Sequence, residues 1–195
     1  MTKVNKLFSD ICTVKRKVNP ETLSLMIELA VEIAREGREG RKIGTIFVVG
    51  DSQNVIKRSK CLILDPLKGH SKKDKNIKNP DMRETVKELA QLDGAFIISD
   101  EGVVITAGRY ITTSSEIVNL PLGLGGRHLA SASISAETNC VSIVVSESSI
   151  VRIMDDGEIV SEIIPELWML KDTSLLIKGP LHRKIQNNLH VVSKK

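Results

Sequence analysis

Asp93-Gly94-Ala95 and, further along, Gly125-Gly126-Arg127-His128-Leu129-Ala130 are the residues whose types and spacing suit chemistry. The first triplet places a carboxylate where a strand begins, beside a glycine that lets a ligand approach the backbone. A carboxylate so placed can accept a hydrogen bond from a ribose hydroxyl or bind a divalent cation. The second run places paired glycines, a guanidinium and an imidazole at the mouth of a helix. Glycines expose backbone N–H groups, and the helix adds its positive end. Arg127 can fork two phosphate oxygens, which lysine cannot do. His128 can donate to a phosphate or orient its neighbours. A carboxylate facing a glycine-rich basic loop is what a metal–nucleotide triphosphate needs from a protein.

Ser146-Glu147 closes the apolar run Val141 to Val145. In open α/β sheets ligands gather at the carboxyl ends of strands, which makes Glu147 a candidate second acid. Plainer readings stand beside these. Asp-Gly is a common turn dipeptide. The glycine-rich run also reads as a helix entry with a surface Arg127 and a satisfied, partly buried His128, and Glu147 as a surface residue on a loop.

The elements that must position these groups follow from patterning. Asn19 can cap a helix over 20–38 with Pro20 in its first turn and Leu23, Met26, Ile27, Ala30, Ile33 and Ala34 at helical spacing. Ile43 to Val49 reads as a buried strand, and Val55 to Leu64 as an irregular one. Residues 65–78 form a polar loop carrying Lys68, His70, Lys72, Lys73, Lys75 and Lys78, either a solvated, mobile segment or a positively charged lid. Asn79-Pro80 starts a second helix running to about Gln91. Ala95–Ser99 and Val103–Ala107 flank a turn at Asp100-Glu101-Gly102, and Ile150–Met154 and Glu158–Ile163 flank another at Asp155-Asp156-Gly157, giving two hairpins. Leu124 to Ala136 reads as a helix, Val141 to Val145 as a central strand, and Leu167 to Leu170 as a short helix before a basic tail. Helices before, between and after strands point to an α/β fold, a single domain with a central mixed β-sheet flanked by helices.

Composition narrows the function classes. At 195 residues and 41% hydrophobic, the chain can bury one core, and its net charge of +4 suits a polyanionic ligand as well as an ordinary solvated surface. Cys12, Cys61 and Cys140 are an odd number, far apart and without a CxxC pair, which argues for a reducing, cytoplasmic setting. No apolar run approaches membrane-spanning length, and Lys3, Lys6 and Asp10 interrupt any N-terminal signal sequence. The P-loop, GxGxxG, HExxH and GxSxG patterns are absent. Aromatic residues are only 3% of the chain, so a base is expected against aliphatic walls, and the scarcity of stacking platforms argues against nucleic acid as a partner.

Taken together, the order of these pieces resembles the diadenylate cyclase domain, which joins two ATP molecules into cyclic di-AMP. The resemblance runs over roughly residues 43 to 160. It is carried by Asp93-Gly94-Ala95, Ala107-Gly108-Arg109-Tyr110-Ile111, Leu120-Pro121-Leu122, Gly126-Arg127-His128 and Val144-Val145-Ser146-Glu147. It divides the chain into an N-terminal helical segment (1–42), a cyclase domain (43–163) and a C-terminal helical and basic tail (164–195). It implies that Asp93 engages the attacking ribose 3′-hydroxyl and a Mn²⁺ or Mg²⁺ ion, with Glu147 as a candidate co-ligand. It implies that Gly94 and Ala95 meet nucleotide through the backbone, that Ile111 packs on adenine, and that Gly125 to Ala130 and Ser146 border the phosphates. Arg127 and His128 are then the charged members of the phosphate loop. Where the family often reads Thr-Arg-His-Arg, this chain has Gly126 and Leu129, one hydroxyl and one charge fewer. Some members also carry a second acid where this chain has Ser148.

The resemblance further implies a homo-oligomer in which two subunits meet face to face, each holding one ATP. Chemistry of this kind needs positioning and charge neutralisation more than covalent catalysis. Two rivals remain at this point: a non-catalytic nucleotide sensor on the same fold, and a nucleic-acid-binding module using the lysines of 68–78 and the basic tail.

Overall fold

In a computed structural model, which describes residues 4–112, 118–165, 180–186 and 189–194, the β-branched runs assemble into one nine-stranded mixed sheet. In chain order the strands are β1 (Thr45–Val49), β2 (Ser59–Cys61), β3 (Ala95–Ile98), β4 (Val104–Ile111), β5 (Val141–Val145), β6 (Val151–Asp155), β7 (Glu158–Ile164), β8 (Leu181–Gln186) and β9 (Leu189–Lys194). They lie side by side in the order β2-β4-β3-β1-β5-β6-β7-β9-β8. β1 and β3 run parallel, and the other neighbouring pairs are antiparallel. β1, β3 and β5 are buried at every position, as strands covered on both faces must be.

Among the described residues four α-helices accompany the sheet: α1 (Pro20–Glu36), α2 (Ser52–Lys57), α3 (Pro80–Leu89) and α4 (Gly126–Glu137). α1 and α3 begin as the sequence predicts, each on an asparagine whose side chain accepts from first-turn N–H groups, followed by proline. α1 packs Leu23, Met26, Ile27, Ala30 and Ile33 into one core with Phe47, Val49, Phe96, Ile98 and Ile143. Successive strand residues alternate in facing, so α4 covers the other side, where Ala132 packs with Val144 and Met154. The stretch before residue 43 therefore shares its core with the sheet.

Both hairpins form where expected. At the β6–β7 turn Asp156 and Gly157 have φ of 52° and 79°, the left-handed pair that a two-residue turn matching strand twist requires. Three segments differ from the sequence reading. Val55–Leu64 is not a single irregular strand but α2 followed by β2. Only Val55 of α2 is buried, while Leu62 and Leu64 are exposed, so the apolar residues never line one face of a strand. Residues 65–78 are a loop, but Leu67 and Ile77 are buried and the Lys75 carbonyl accepts from Val104 N–H, which pins it to the start of β4. After residue 163 the sheet continues: β9 pairs with β7 and buries Val191 and Val192, with basic side chains carried on the outer strands. The short helix expected near Leu167 lies outside the described residues.

Candidate nucleotide site

β1 and β3 begin, and β4 and β5 end, at the same edge of the sheet, and there a cleft of about 300 Å³ opens beside the first turn of α4. Asp93, Gly94 and Ala95 enter it from the start of β3, Arg109, Tyr110 and Ile111 from the end of β4, and Gly126, Arg127, Leu129 and Ala130 from α4. Ile46 and Leu62 complete the lining. Its apolar lining is aliphatic, from Ile46, Leu62, Ile111 and Leu129, apart from one partly exposed ring, Tyr110.

Asp93 is carried on a backbone that only glycine permits. Gly94 has φ of 107°, and a Cβ there would lie 2.7 Å from the carbonyl carbon of Gly108 and 2.8 Å from the nitrogen of Arg109. The chain at Gly94 is thus pressed against β4, and its N–H donates to Asp93 Oδ1 at 2.9 Å. The partner strand accommodates this through two register irregularities between Ala95 and Ile98, bulges that re-aim the end of β4 toward the cleft.

α4 differs from α1 and α3 in its start. Its cap is Gly125, which offers no side-chain acceptor; His128 N–H donates to the Gly125 carbonyl at 3.0 Å, which leaves the N–H groups of Gly126 and Arg127 at the helix mouth to meet a ligand. From that turn Arg127 reaches over the sheet edge. Its Nη1 donates to Glu147 Oε1 at 3.0 Å, and its Nη2 lies 3.9 Å from Asp93 Oδ1. The pair rests on Gly44, where a Cβ would come within 2.6 Å of Arg127 Nη1 and 3.2 Å of Glu147 Cγ. Both acids are exposed, and Glu147 stands just outside the cleft lining.

His128 is placed differently. It is buried on the sheet side of α4, outside the cleft lining, with Nε2 3.0 Å from Arg152 Nη1. Burial, and then the neighbouring Arg152 and Arg127 guanidinium groups, push its pKa down from 6.5 to about 4. The imidazole is neutral at physiological pH. Ser146 and Gly125 also fall outside the lining, and Ser146 Oγ pairs with Ser148 Oγ at 2.8 Å.

Sequence reasoning passed over Arg109 and Gly44 as site residues. Arg109 lines the cleft, but its guanidinium is turned to the sheet edge, with Nη2 donating to the Ser59 carbonyl at 2.8 Å and Nη1 set 3.0 Å from Cys61 Sγ. Its guanidinium thus ties the end of β4 to β2 and builds the wall of the cleft. The signal for Gly44 was a lone glycine between a charge run and a buried strand.

Two carboxylates sharing one guanidinium form a donor set that suits a divalent cation held jointly with phosphate oxygens and water. Among the described residues there is no group of three or more His, Cys, Asp or Glu that could hold a metal unaided. Among those residues, too, no helix is long and apolar enough to cross a membrane.

The architecture has solved counterparts. A crystal structure titled as a hypothetical membrane spanning protein from Bacillus cereus superposes with a TM-score of 0.53 at 16% identity, covering 71% of this chain and 61% of that one. That likeness speaks for the fold. A diadenylate cyclase of Methanocaldococcus jannaschii is 53% identical over 152 residues, 76% of this chain and 47% of that protein. One of Haloferax volcanii is 37% identical over 153 residues, 78% of this chain and 56% of that protein. The chain thus spans about half the length of these relatives. The family model described as DisA bacterial checkpoint controller nucleotide-binding matches residues 32–159, which takes in the start of β1, the Asp93 turn, the α4 loop and Glu147, and the chain belongs to that diadenylate cyclase (DAC) family.

Proposed function

We propose that the chain is a diadenylate cyclase condensing two ATP molecules into cyclic di-AMP with release of two pyrophosphates. The observation that carries the reading is the convergence of Asp93 and Glu147 on Arg127 at the mouth of an aliphatic cleft. Ile46 and Ile111 suit the faces of a purine, and the uncapped first turn of α4 suits the triphosphate. Asp93 engages the ribose 3′-hydroxyl. The 3′-oxygen forms a bond to the α-phosphorus of the facing ATP as the bond to pyrophosphate breaks, and the hydroxyl proton leaves toward the carboxylate. Arg127 turns from the acids to the phosphates, where its fork stabilises charge on the leaving group. Asp93 and Glu147 are the residues that would hold a Mn²⁺ or Mg²⁺ ion, which supplies charge neutralisation at the triphosphate.

One protomer carries a single cleft of this kind among its described residues, so both attacks need a second copy facing the first. Leu122, a few residues before α4, and Leu64, two residues after the cleft-lining Leu62, are exposed and offer apolar surface for that contact. All three cysteines are free, which suits a reducing compartment such as the cytoplasm. Incubating the full chain with ATP and Mn²⁺ and searching for a cyclic dinucleotide by mass spectrometry tests the proposal. Unchanged ATP overturns it, and tight ATP binding without product makes the chain a nucleotide sensor instead.

A further inference from the structure

Behind the α4 loop lies a charged group that the proposed chemistry does not touch. Arg152 on β6 and Glu162 on β7 are direct cross-strand partners, 7% and 2% exposed, on the sheet face that α4 covers. Nε of Arg152 donates to Glu162 Oε1 at 2.6 Å, while its Nη1 faces His128 Nε2 at 3.0 Å. A guanidinium only donates, so Nε2 of His128 is the acceptor and the ring hydrogen sits on Nδ1. The adjoining cluster on this face is apolar, built from Val144, Met154, Ile159 and Val192. A buried ion pair is a costly way to fill such a space, and apolar side chains of similar volume commonly stabilise as well or better. What apolar residues cannot do is grip an imidazole at a defined nitrogen. That imidazole is on the third residue of α4, directly after Arg127.

We propose that Arg152 and Glu162 are positioning residues for the triphosphate. By clamping neutral His128 at Nε2 they fix the first turn of α4, and with it the loop N–H groups and the root of Arg127. His128 acts through this clamp, and the inference rests on reading the cleft as an ATP site.

The test compares two probes on the full chain: ATP with Mn²⁺, and adenosine, which shares base and ribose but lacks phosphates. Removing Arg152 alone takes the guanidinium from a buried carboxylate, so the variant to measure replaces both members of the pair, Arg152→Met/Glu162→Leu. Expected is a folded protein whose ATP affinity falls about tenfold, the size of one charge-assisted hydrogen bond, with adenosine affinity within about twofold of wild type. A purely structural role would move both affinities together. Equal losses for the two probes, or no loss for either, overturn the proposal. The ¹⁵N spectrum of the wild-type His128 ring gives a second, fold-independent reading. A neutral ring with hydrogen on Nδ1 supports the clamp; hydrogen on Nε2, or a cationic ring at neutral pH, overturns it whether or not the double variant folds. Wild-type protein that binds ATP no better than adenosine instead removes the ATP-site reading and the inference with it, a failure visible before any variant is made.

Discussion

Glu147 Oε1 lies 3.0 Å from Nη1 of Arg127, and the guanidinium so held also lies within 4 Å of Asp93. One cation therefore stands between two carboxylates brought in from opposite sides of β1. All three side chains are substantially exposed, and exposed ion pairs contribute little stability. Such weak pairing is easily exchanged, as the proposed chemistry requires: there an incoming cation would take the acids and the guanidinium would move to phosphate.

Asp93→Asn keeps an oxygen for Gly94 N–H but removes the charge. Cyclic di-AMP formation should fall by at least about 10²-fold while the ATP Kd changes by less than about threefold. Product by mass spectrometry and binding by calorimetry check the two halves. A variant that cyclises ATP normally removes Asp93 from the role given to it.

Arg127→Ala should weaken ATP binding by about 10- to 100-fold, and Arg127→Lys should restore only a small part of that loss. Lysine keeps the charge but not the fork that spans two oxygens. Full recovery in the lysine variant, measured by titration at fixed salt, would show that charge alone is used.

Gly94→Ala and Gly44→Ala should separate stability from binding. At Gly94 the new methyl meets the backbone of β4 on a left-handed φ, so unfolding free energy should drop by about 2–3 kcal/mol. At Gly44 the methyl meets the movable ends of Arg127 and Glu147, so stability should hold within about 0.5 kcal/mol while ATP affinity falls severalfold. Denaturant melts and calorimetry distinguish them, and equal destabilisation would contradict the packing at Gly44.

His128 also sets a pH dependence. Its folded pKa of about 4 lies below the ordinary value of 6.5, so the unfolded chain binds more protons between those values. Stability from this residue is therefore intact above pH ~6.5 and drains away as pH falls toward 4, by about 3 kcal/mol in all. His128→Gln, which cannot titrate, should flatten that part of the curve. Thermal midpoints from pH 7 to 4.5 that run parallel for the two proteins would refute this.

Much of the fold was legible because its signals are local. Asn-Pro starts announced α1 and α3, and the turns Asp100-Glu101-Gly102 and Asp155-Asp156-Gly157 announced the two hairpins. Asp93, Gly94, Ile111 and Arg127 were legible as a set, since their order along the chain mirrors their meeting at one sheet edge. The seating of His128 was less so, because it depends on Arg152 and Glu162 facing each other. Counting outward from the Asp156-Gly157 turn pairs Arg152 with Ser161; the irregularity after Ile153 shifts the register by one and brings Glu162 opposite. The loop from Asp65 to Lys78 misled for another reason. Its lysines outnumber Leu67 and Ile77, but the two apolar side chains decide where it lies.

β3, β1 and β5 are adjacent in the ladder, and Asp93, Gly44 and Glu147 sit at the corresponding ends of these three strands. The main-chain distance between the acids is thus two interstrand steps, on the order of 10 Å, and is a lattice dimension of the sheet rather than a property of any loop. Such a gauge cannot be widened by degrees. A substrate needing a larger gap would require a different strand order, whereas changes in what the cleft accepts can come from side chains on β4 and α4 alone.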